Sequence, residues 1–407
     1  MRIKHLALLI ALFSVSILSL SAQQTKYRRS SLSMLLIESD NFPSKEAVMK
    51  SWNAYPFPDK YNKHDIGMST LSLAKEASSD TAGAEEEKFK GKIDRVIKEK
   101  KLANKLVAKW FNRDASGKFN MNLIQERGFY SASEMEASVA KGQARGLSSL
   151  GDAGEELIKN TFVTFTKLDF IENEPAARAI RDAAQIETQK RLEGKPQFLI
   201  DKALQALEVV YEKTKEGYSL WSKTWLYRLN WNDSIAAVFY TDLWSNPAAF
   251  ENSDLFSLEF VGVQYNQSLV TFKIGETRTQ EQIIDLGLVR NIDNVFAKLQ
   301  KKNEVFRPKV PVLGTDPVTA QIGMKEGLEG GEKFDVLEMT LNEKSGRTEY
   351  KKVASVSVDK KGIWDNRYNA GSKPEVETLD KDGKPIVATR FKGGKKVQTG
   401  MLLKQAK

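Results

Sequence analysis

The stretch "IGMKEGLEGGEKFDVLE", Ile322–Glu338, places four glycines close together and then continues as an apolar strand pattern. A phosphate-binding loop needs the spacing G-x-x-x-x-G-K-[ST] between a strand and a helix. Here the glycines miss that spacing, no Lys-Ser or Lys-Thr pair follows, and the next segment is typical of a strand. We therefore interpret the glycines as turn residues that adopt positive φ within a small β-structure.

After the segment "FRPKVPVLGTDP", residues 306–317, helical periodicity disappears, and short strand patterns alternate with Gly, Asp and Asn turns. The segment "DKDGKP" adds an Asp-Gly hairpin signal. Such spacing without helices predicts a small antiparallel β-barrel or sandwich over residues 306–407. The clearest strand patterns are "FDVLEMT", "TEYKKVASVSV", "KPIVATRF" and "VQTGMLLKQ".

The glycine-rich turn also resembles the "G-Leu-x-x-G-(Asp/Glu)-x-Phe-x-Val" turn of small β-barrels found in bacterial envelope-assembly and translation proteins. One more glycine than in that pattern separates its two halves, and the resemblance covers only this short stretch of the chain. It implies a fold and no active site. The residues that carry it are Gly327, Leu328, Gly330, Glu332, Phe334 and Val336.

The positive charge of the chain is concentrated at its C-terminal end. Residues 341–407 hold 16 Lys and Arg against 8 Asp and Glu, a net of +8, whereas residues 23–340 are close to neutral. Lys392, Lys395 and Lys396 cluster after a strand pattern and predict a positive face that binds an envelope protein or an anionic glycan. The alternative is that these lysines only keep the module soluble and protect its strand edges.

Residues 23–302 predict a helix-rich, mixed α/β body, which makes the whole chain α+β. The acidic, small-residue segment 76–88 is typical of a linker or loop. Other expected elements are a buried strand at 31–38, a helix after Pro43 through Trp52, a long helix ending near Asn112, helices at Ser133–Lys141 and Asp152–Lys159, and a strand in "TFVTFTKLDFI". They continue with helices over Glu174–Lys215 broken at Gly194 and Pro196, a hairpin around Tyr265–Gln267, and a helix at 280–302.

The N-terminus has the pattern of a secretory signal. A cationic "MRIKH" precedes a short apolar segment and small residues, with cleavage expected after Ala22. We expect an exported protein without a transmembrane segment in the mature chain, in the periplasm, or alternatively extracellular or associated with the outer membrane. The absence of cysteine excludes disulfides and a lipoprotein anchor.

Histidine and cysteine usage narrows the possible chemistry. His64 is the only histidine outside the predicted signal, so a usual zinc site or a histidine-based triad has almost no ligands or bases to draw on. Beside Asp65, in a loop rich in Pro and Asn, His64 is expected at the surface. We predict no metal site and no cofactor.

Aromatic residues are concentrated in "GYSLWSKTWLYRLNWNDS". If this segment is a strand, Trp221, Trp225, Tyr227 and Trp231 share one face. That face either packs in the core or forms an aromatic platform that binds sugars or peptides.

Two functions remain open from sequence. The first is a non-enzymatic, exported binding or scaffold protein of the envelope, and nucleic acid is not an expected partner. The alternative is a glycosidase-like hydrolase built on carboxylates such as Asp233, Asp242 or Glu259, acting on envelope or imported glycan. The general layout resembles uncharacterised exported proteins of Gram-negative bacteria, and the oligomeric state is left open.

Overall fold

A computed structural model describes residues 27–73, 85–130, 154–270, 279–342, 347–367, 379–380 and 383–406. It has the predicted α+β architecture, with a helix-rich body built on one sheet and a closed antiparallel barrel near the C-terminus. The predicted signal 1–22, the predicted helix Ser133–Lys141 and most of the predicted linker 76–88 lie outside the described residues.

One mixed sheet organises the body. Its strands, numbered along the chain, are β1 (Ser31–Ile37), β2 (Asn62–Lys63), β3 (Thr70–Leu71), β4 (Thr161–Glu172), β5 (Tyr218–Leu229) and β6 (Leu258–Val270). They lie in the order β2, β1, β4, β5, β6, and β3 also pairs with β1. β1 is parallel to β2, β3 and β4, whereas β4, β5 and β6 are antiparallel neighbours.

The described helices are α1 (Lys45–Ala54), α2 (Glu85–Glu99), α3 (Leu102–Trp110), α4 (Asn122–Tyr130), α5 (Gly154–Lys159), α6 (Asn173–Arg191), α7 (Gln197–Thr214), α8 (Asp233–Val238), α9 (Pro247–Asn252) and α10 (Gln280–Lys302). They pack on both faces of the sheet, except that α6 and α7 pack chiefly on each other. A π-helical turn, Phe239–Leu243, extends α8. None of the described helices is both long enough and apolar enough to cross a bilayer.

The longest helix, α10, joins the body to the barrel. Thr279 and Gln282 form a capping box at its start, which satisfies backbone N–H groups that the first turn leaves without partners. Fourteen of its 23 residues are buried, because α1, β5 and β6 cover it within the body and the barrel covers part of it from the other side. Its boundaries match the sequence prediction.

The barrel consists of β7 (Lys309–Thr315), β8 (Val318–Ala320), β9 (Lys333–Asn342), β10 (Arg347–Val358), β11 (Thr389–Lys392) and β12 (Leu402–Gln405). The strands close in the order β10, β11, β8, β7, β12, β9, with antiparallel pairing throughout. Alternate apolar side chains, among them Val336, Phe334 and Leu403, fill its interior.

The glycine-rich stretch forms turns that seat this barrel on α10. Gly327, Gly330 and Gly331 all adopt positive φ, and a 3-10 turn at Met324–Glu326 precedes them. A Cβ on Gly327 would lie 3.0 Å from Ala297 Cβ on α10, so the absence of a side chain permits the close approach. The stretch therefore holds the interface between barrel and body.

Local expectations differ from the structure at three places. Lys101 adopts a left-handed φ of 49°, so the long helix expected to end near Asn112 is instead two helices, α2 and α3. The hairpin expected around Tyr265–Gln267 does not form, because β6 continues through these residues and pairs with β5 along its length. Residues 85–88 of the predicted linker form the first turn of α2.

Successive side chains of β5 point to opposite faces of the sheet and therefore belong to two different hydrophobic cores. Trp225, Tyr227 and Trp231 are buried in the core that includes α2, α3 and α8, whereas Leu226 belongs to the core beneath α1 and α10. Trp225 stacks on Phe89 with ring centroids 4.9 Å apart. These three aromatic side chains therefore pack in the core, and Trp221, 43% exposed, differs from them.

Replacing these rings tests their role in stability. We expect Trp225→Ala and Trp231→Ala each to lower the free energy of unfolding by about 3–5 kcal/mol, because each leaves a cavity in a closed core. Trp221→Ala is the matched control and should cost about 1 kcal/mol or less. Chemical denaturation measures all three, and equal losses at Trp221 and Trp225 would contradict the burial difference.

Candidate functional site

The predicted lysine cluster lies on the surface of the barrel. Lys392, Lys395 and Lys396 are all exposed, at the end of β11 and in the turn that follows. Lys392 forms an ion pair with Asp359, with Nζ and Oδ1 3.1 Å apart, and this hydrogen bond lowers the pKa of the Asp359 carboxyl. The cluster is open to solvent and has no walls to enclose a ligand.

A second group of basic side chains surrounds a cavity of about 190 Å³ between the body and the barrel. The body contributes residues that precede β1 and β2, that join α5 to β4, and that end β5, while the barrel contributes residues from β7 and β12. The segment that joins α10 to β7 completes the wall. The lining residues are Tyr27, Arg29, Ser30, Lys60, Asn160, Arg228, Glu304, Val305, Arg307, Pro308, Lys309 and Lys404.

Neutral oxygens hold two of the arginines in place. Arg228 donates from Nε to the Lys159 carbonyl at 2.7 Å and from Nη2 to Asn160 Oδ1 at 3.0 Å. Burial lowers the pKa of Arg228, although the charge of Glu259 on the neighbouring strand acts in the opposite direction. The local hydrogen bonds therefore orient this guanidinium without neutralising it.

Arg307 is held in a similar way where the chain enters the barrel. Its nitrogens donate to the carbonyls of Gln300 (3.2 Å), Lys301 (2.9 Å) and Gln405 (3.2 Å). The carbonyls of Gln300 and Lys301 belong to the last turn of α10, and that of Gln405 belongs to β12. Arg307 therefore links the body to the barrel through hydrogen bonds to both. A further buried arginine, Arg29, donates to the Gly128 carbonyl at 3.3 Å.

The three lysines of the cavity have carboxylate partners. Lys60 pairs with Asp59 at 2.6 Å, Lys309 with Glu156 at 3.3 Å, and Lys404 with Glu304 at 3.1 Å. Burial would raise the pKa of Asp59, but the charge and hydrogen bond of Lys60 lower it. Lys60 Nζ also lies 3.9 Å from the buried Glu326 carboxylate. The six cations around the cavity exceed the four carboxylates paired with its lysines, which leaves the cavity with a positive potential.

This arrangement suits an anionic group. Guanidinium groups present paired N–H donors that match the two oxygens of a carboxylate or phosphate. The volume of about 190 Å³ is smaller than a site for a drug-sized ligand, so it admits a single charged group or a terminal sugar. Of these residues the sequence indicated none, because the six basic residues lie in five separate segments with no motif around them.

The carboxylates considered for hydrolysis lie at the surface. Asp233, Asp242 and Glu259 are all exposed. A different carboxylate, Asp293 on α10, is buried beside Tyr55, whose hydroxyl donates to it at 2.6 Å, and burial raises the pKa of Asp293. Asp293 lies against the barrel turn, where Lys325 Nζ is 3.8 Å away, so this group is part of the interface and does not line the cavity.

His64 is buried, contrary to the expected surface position. Its Nε2 lies 2.9 Å from the Leu106 carbonyl and its Nδ1 lies 2.9 Å from Arg127 Nη1. Arg127 also donates to Ser31 Oγ at 3.0 Å and lies over Trp110, 4.6 Å from the ring centroid. Burial first, and the charge of Arg127 second, lower the pKa of His64 to about 3. The imidazole is therefore a neutral structural link between β1, β2, α3 and α4.

Among the described residues, no group of three or more His, Cys, Asp and Glu side chains is placed to hold a metal ion. No protein-family profile matches the chain, and no curated protein is detectably similar to it.

His64 should make stability depend on pH. Its folded-state pKa of about 3 lies below the ordinary value of 6.5, so at pH values between them the unfolded chain binds a proton that the folded chain does not. Stability is then fully present above about pH 6.5 and is lost as the pH falls. We expect this residue alone to cost about 2 kcal/mol between pH 8 and pH 5.

The measurement compares urea denaturation of the wild type and His64→Gln at both pH values. The variant should be less stable at pH 8, because its side chain packs less well beside Trp110, yet its stability should fall less towards pH 5. Equal losses in both proteins would show that His64 does not control the change.

Proposed function

We propose that this protein is an exported, non-enzymatic binding protein of the cell envelope that holds an anionic group of a glycan in the basic cavity. The observation that carries the proposal is the group of six cations from body and barrel around one partly open cavity, with Arg228 and Arg307 bound to neutral oxygens. The leader pattern of residues 1–22 supports export to the periplasm.

The size of the cavity favours recognition of one unit of a larger ligand. A space of about 190 Å³ can enclose a uronate sugar or a phosphate group, while the rest of the polymer extends over the surface. Arginine is suited to this role because its planar donors fix the orientation of a carboxylate. The binding free energy then comes from charge-assisted hydrogen bonds inside a partly desolvated space.

The exposed lysines of the barrel offer a second, weaker contact. Lys395 and Lys396 are solvent-exposed, so their attraction for a polyanion is screened by salt within about 8–10 Å at physiological ionic strength. They can raise the rate of encounter with a polyanion, whereas the cavity can select a particular group. The two sites therefore differ in specificity and can be separated by mutation.

A carboxylate-dependent hydrolase is the alternative function. It requires two carboxyl groups on opposite sides of a bound sugar. Among the described residues that line the cavity, Glu304 is the one carboxylate, and it is paired with Lys404. Binding without turnover is therefore the function that we favour, and release of reducing sugar from an acidic glycan would support the hydrolase instead.

Binding of glucuronate and of polygalacturonate, measured by calorimetry, tests the proposal. Arg228→Gln and Arg307→Gln should each weaken binding of both probes about tenfold or more, because each removes a charge-assisted hydrogen bond. Arg228→Lys keeps the charge without the planar donors and should lie between the wild type and Arg228→Gln. Thermal unfolding of each variant verifies that the fold is retained.

The matched control is the double variant Lys395→Gln, Lys396→Gln. It should leave glucuronate binding unchanged and weaken only the polymer, mainly at low salt. Loss of glucuronate binding in this control, with normal binding in the two arginine variants, would place the site on the barrel surface and not in the cavity.

A further inference from the structure

Residues 173–217, which comprise α6 and α7, form an antiparallel helical arm inserted between β4 and β5. Only Asn173 and Ala177 of α6 and Tyr211 of α7 are buried, and all three lie near the sheet. At 1.5 Å per residue the 19 residues of α6 extend about 28 Å. The arm therefore projects from the body, and its two helices pack chiefly on each other.

Large apolar side chains are exposed along the whole arm. Ile180 on α6 is 70% exposed, Phe198 at the tip is 67% exposed, and Val210 on α7 is 56% exposed. Ile186, Leu199 and Val209 are also exposed. A helix that packs through one stripe normally carries polar residues on the opposite face, so a second apolar surface along both helices indicates a partner.

Charge is distributed unequally along the arm. The tip, residues 190–202, has four basic and two acidic residues, whereas the rest of the arm has four basic and six acidic residues. In that remaining part Arg178 pairs with Glu174, and Arg181 with Glu208. By contrast, none of the tip cations forms an ion pair with any residue that the structure describes. These cations are Lys190, Arg191, Lys195 and Lys202.

We propose that the arms of two copies of this chain pack antiparallel to each other and form a four-helix bundle. In this arrangement the positive tip of one arm lies against the negative, sheet-proximal part of the other. A two-fold axis across the middle of the arms makes both contacts equivalent and closes the assembly as a dimer. A parallel arrangement would bring two positive tips together and is disfavoured by charge.

A lipid surface fits the arm less well. Insertion of the tip would cover Phe198, but Val210 lies twelve residues further along α7, about 18 Å away. An arm lying flat on an anionic membrane would present equal numbers of basic and acidic residues, eight of each, and would gain little from charge. A second copy accounts for both the apolar surface and the charge pattern.

The first test measures the mass of the full chain by sedimentation equilibrium, with the protein produced by export so that any leader is removed naturally. We expect a dimer at micromolar concentration. The double variant Ile180→Glu, Val210→Glu should raise the dissociation constant by about a hundredfold or more, because it places charges in the apolar contact. The matched control is Val387→Glu, on the barrel, where the native side chain is 61% exposed.

The second test determines the direction of packing. The chain contains no cysteine, so introduced cysteines report specific contacts without background. Antiparallel arms place Ala206, near the middle of α7, close to the axis, and Ala206→Cys should crosslink to itself. Lys202→Cys and Val210→Cys lie four residues on either side of Ala206 and should crosslink efficiently when the two variants are mixed. Phe198→Cys lies eight residues from the axis and should not crosslink to itself.

Several outcomes would overturn the proposal. A wild-type protein that stays monomeric at 100 µM excludes the dimer, and arm-dependent flotation of that monomer with phosphatidylglycerol vesicles would identify a lipid surface instead. A dimer that survives Ile180→Glu, Val210→Glu must use another surface. Efficient crosslinking of Phe198→Cys to itself would show parallel arms. Circular dichroism at 222 nm verifies that each variant keeps its helices.

Discussion

The burial of α10 is the constraint on which the rest of the structure depends. Asn291, at its centre, donates to the Leu220 carbonyl at 2.7 Å and is hydrogen-bonded to Ser222, which fixes the helix over the sheet. Each fully buried Leu or Ile contributes about 1.5–3 kcal/mol relative to exposure, so its apolar residues form a large part of the stabilising contact. The chain leaves α10 through Phe306, which stacks on Tyr61 at 4.8 Å, and enters the barrel at Lys309. Arg307, which lines the cavity, lies between Phe306 and Lys309 in the chain. The position of α10 therefore determines the position of this part of the cavity wall.

Local patterns predicted those elements whose stability is itself local. The ends of α10 were predictable because Thr279 and Gln282 form a capping box, and the pair α6 and α7 because Gly194 and Pro196 interrupt a helical composition. Prediction of a helix running through Lys101 was wrong, since a left-handed lysine costs only about 1–2 kcal/mol and carries no sequence signature. Burial of His64 was likewise unpredictable, because Arg127 and Leu106, far along the chain, supply its hydrogen bonds.

The cavity could not be predicted for a related reason. Arg228 ends a body strand, Lys404 belongs to the last barrel strand, and 176 positions separate them in the sequence. In isolation each is indistinguishable from an ordinary surface cation, which is the commonest role of such residues. The lysines at 392–396 could be recognised as a cluster because they are close together in the sequence. The cations around the cavity come together only when α10 brings the barrel against the sheet. Net charge suggested an anionic ligand, as proposed here, but did not indicate the cavity as the place where it would bind.

The cavity and the arm lie at opposite ends of the sheet. Strand β4 starts beside Asn160 of the cavity and ends at the base of the arm, and β5 returns from the arm to Arg228. Twelve residues at about 3.3 Å each separate the two by roughly 40 Å. Association through the arms would therefore leave both cavities open and directed away from each other, on the order of 100 Å apart. A polymer with repeated anionic groups could occupy both cavities of the dimer. Once one cavity is occupied, binding of the polymer to the second would be intramolecular. The overall affinity for the polymer would then rise without any additional contact in either cavity.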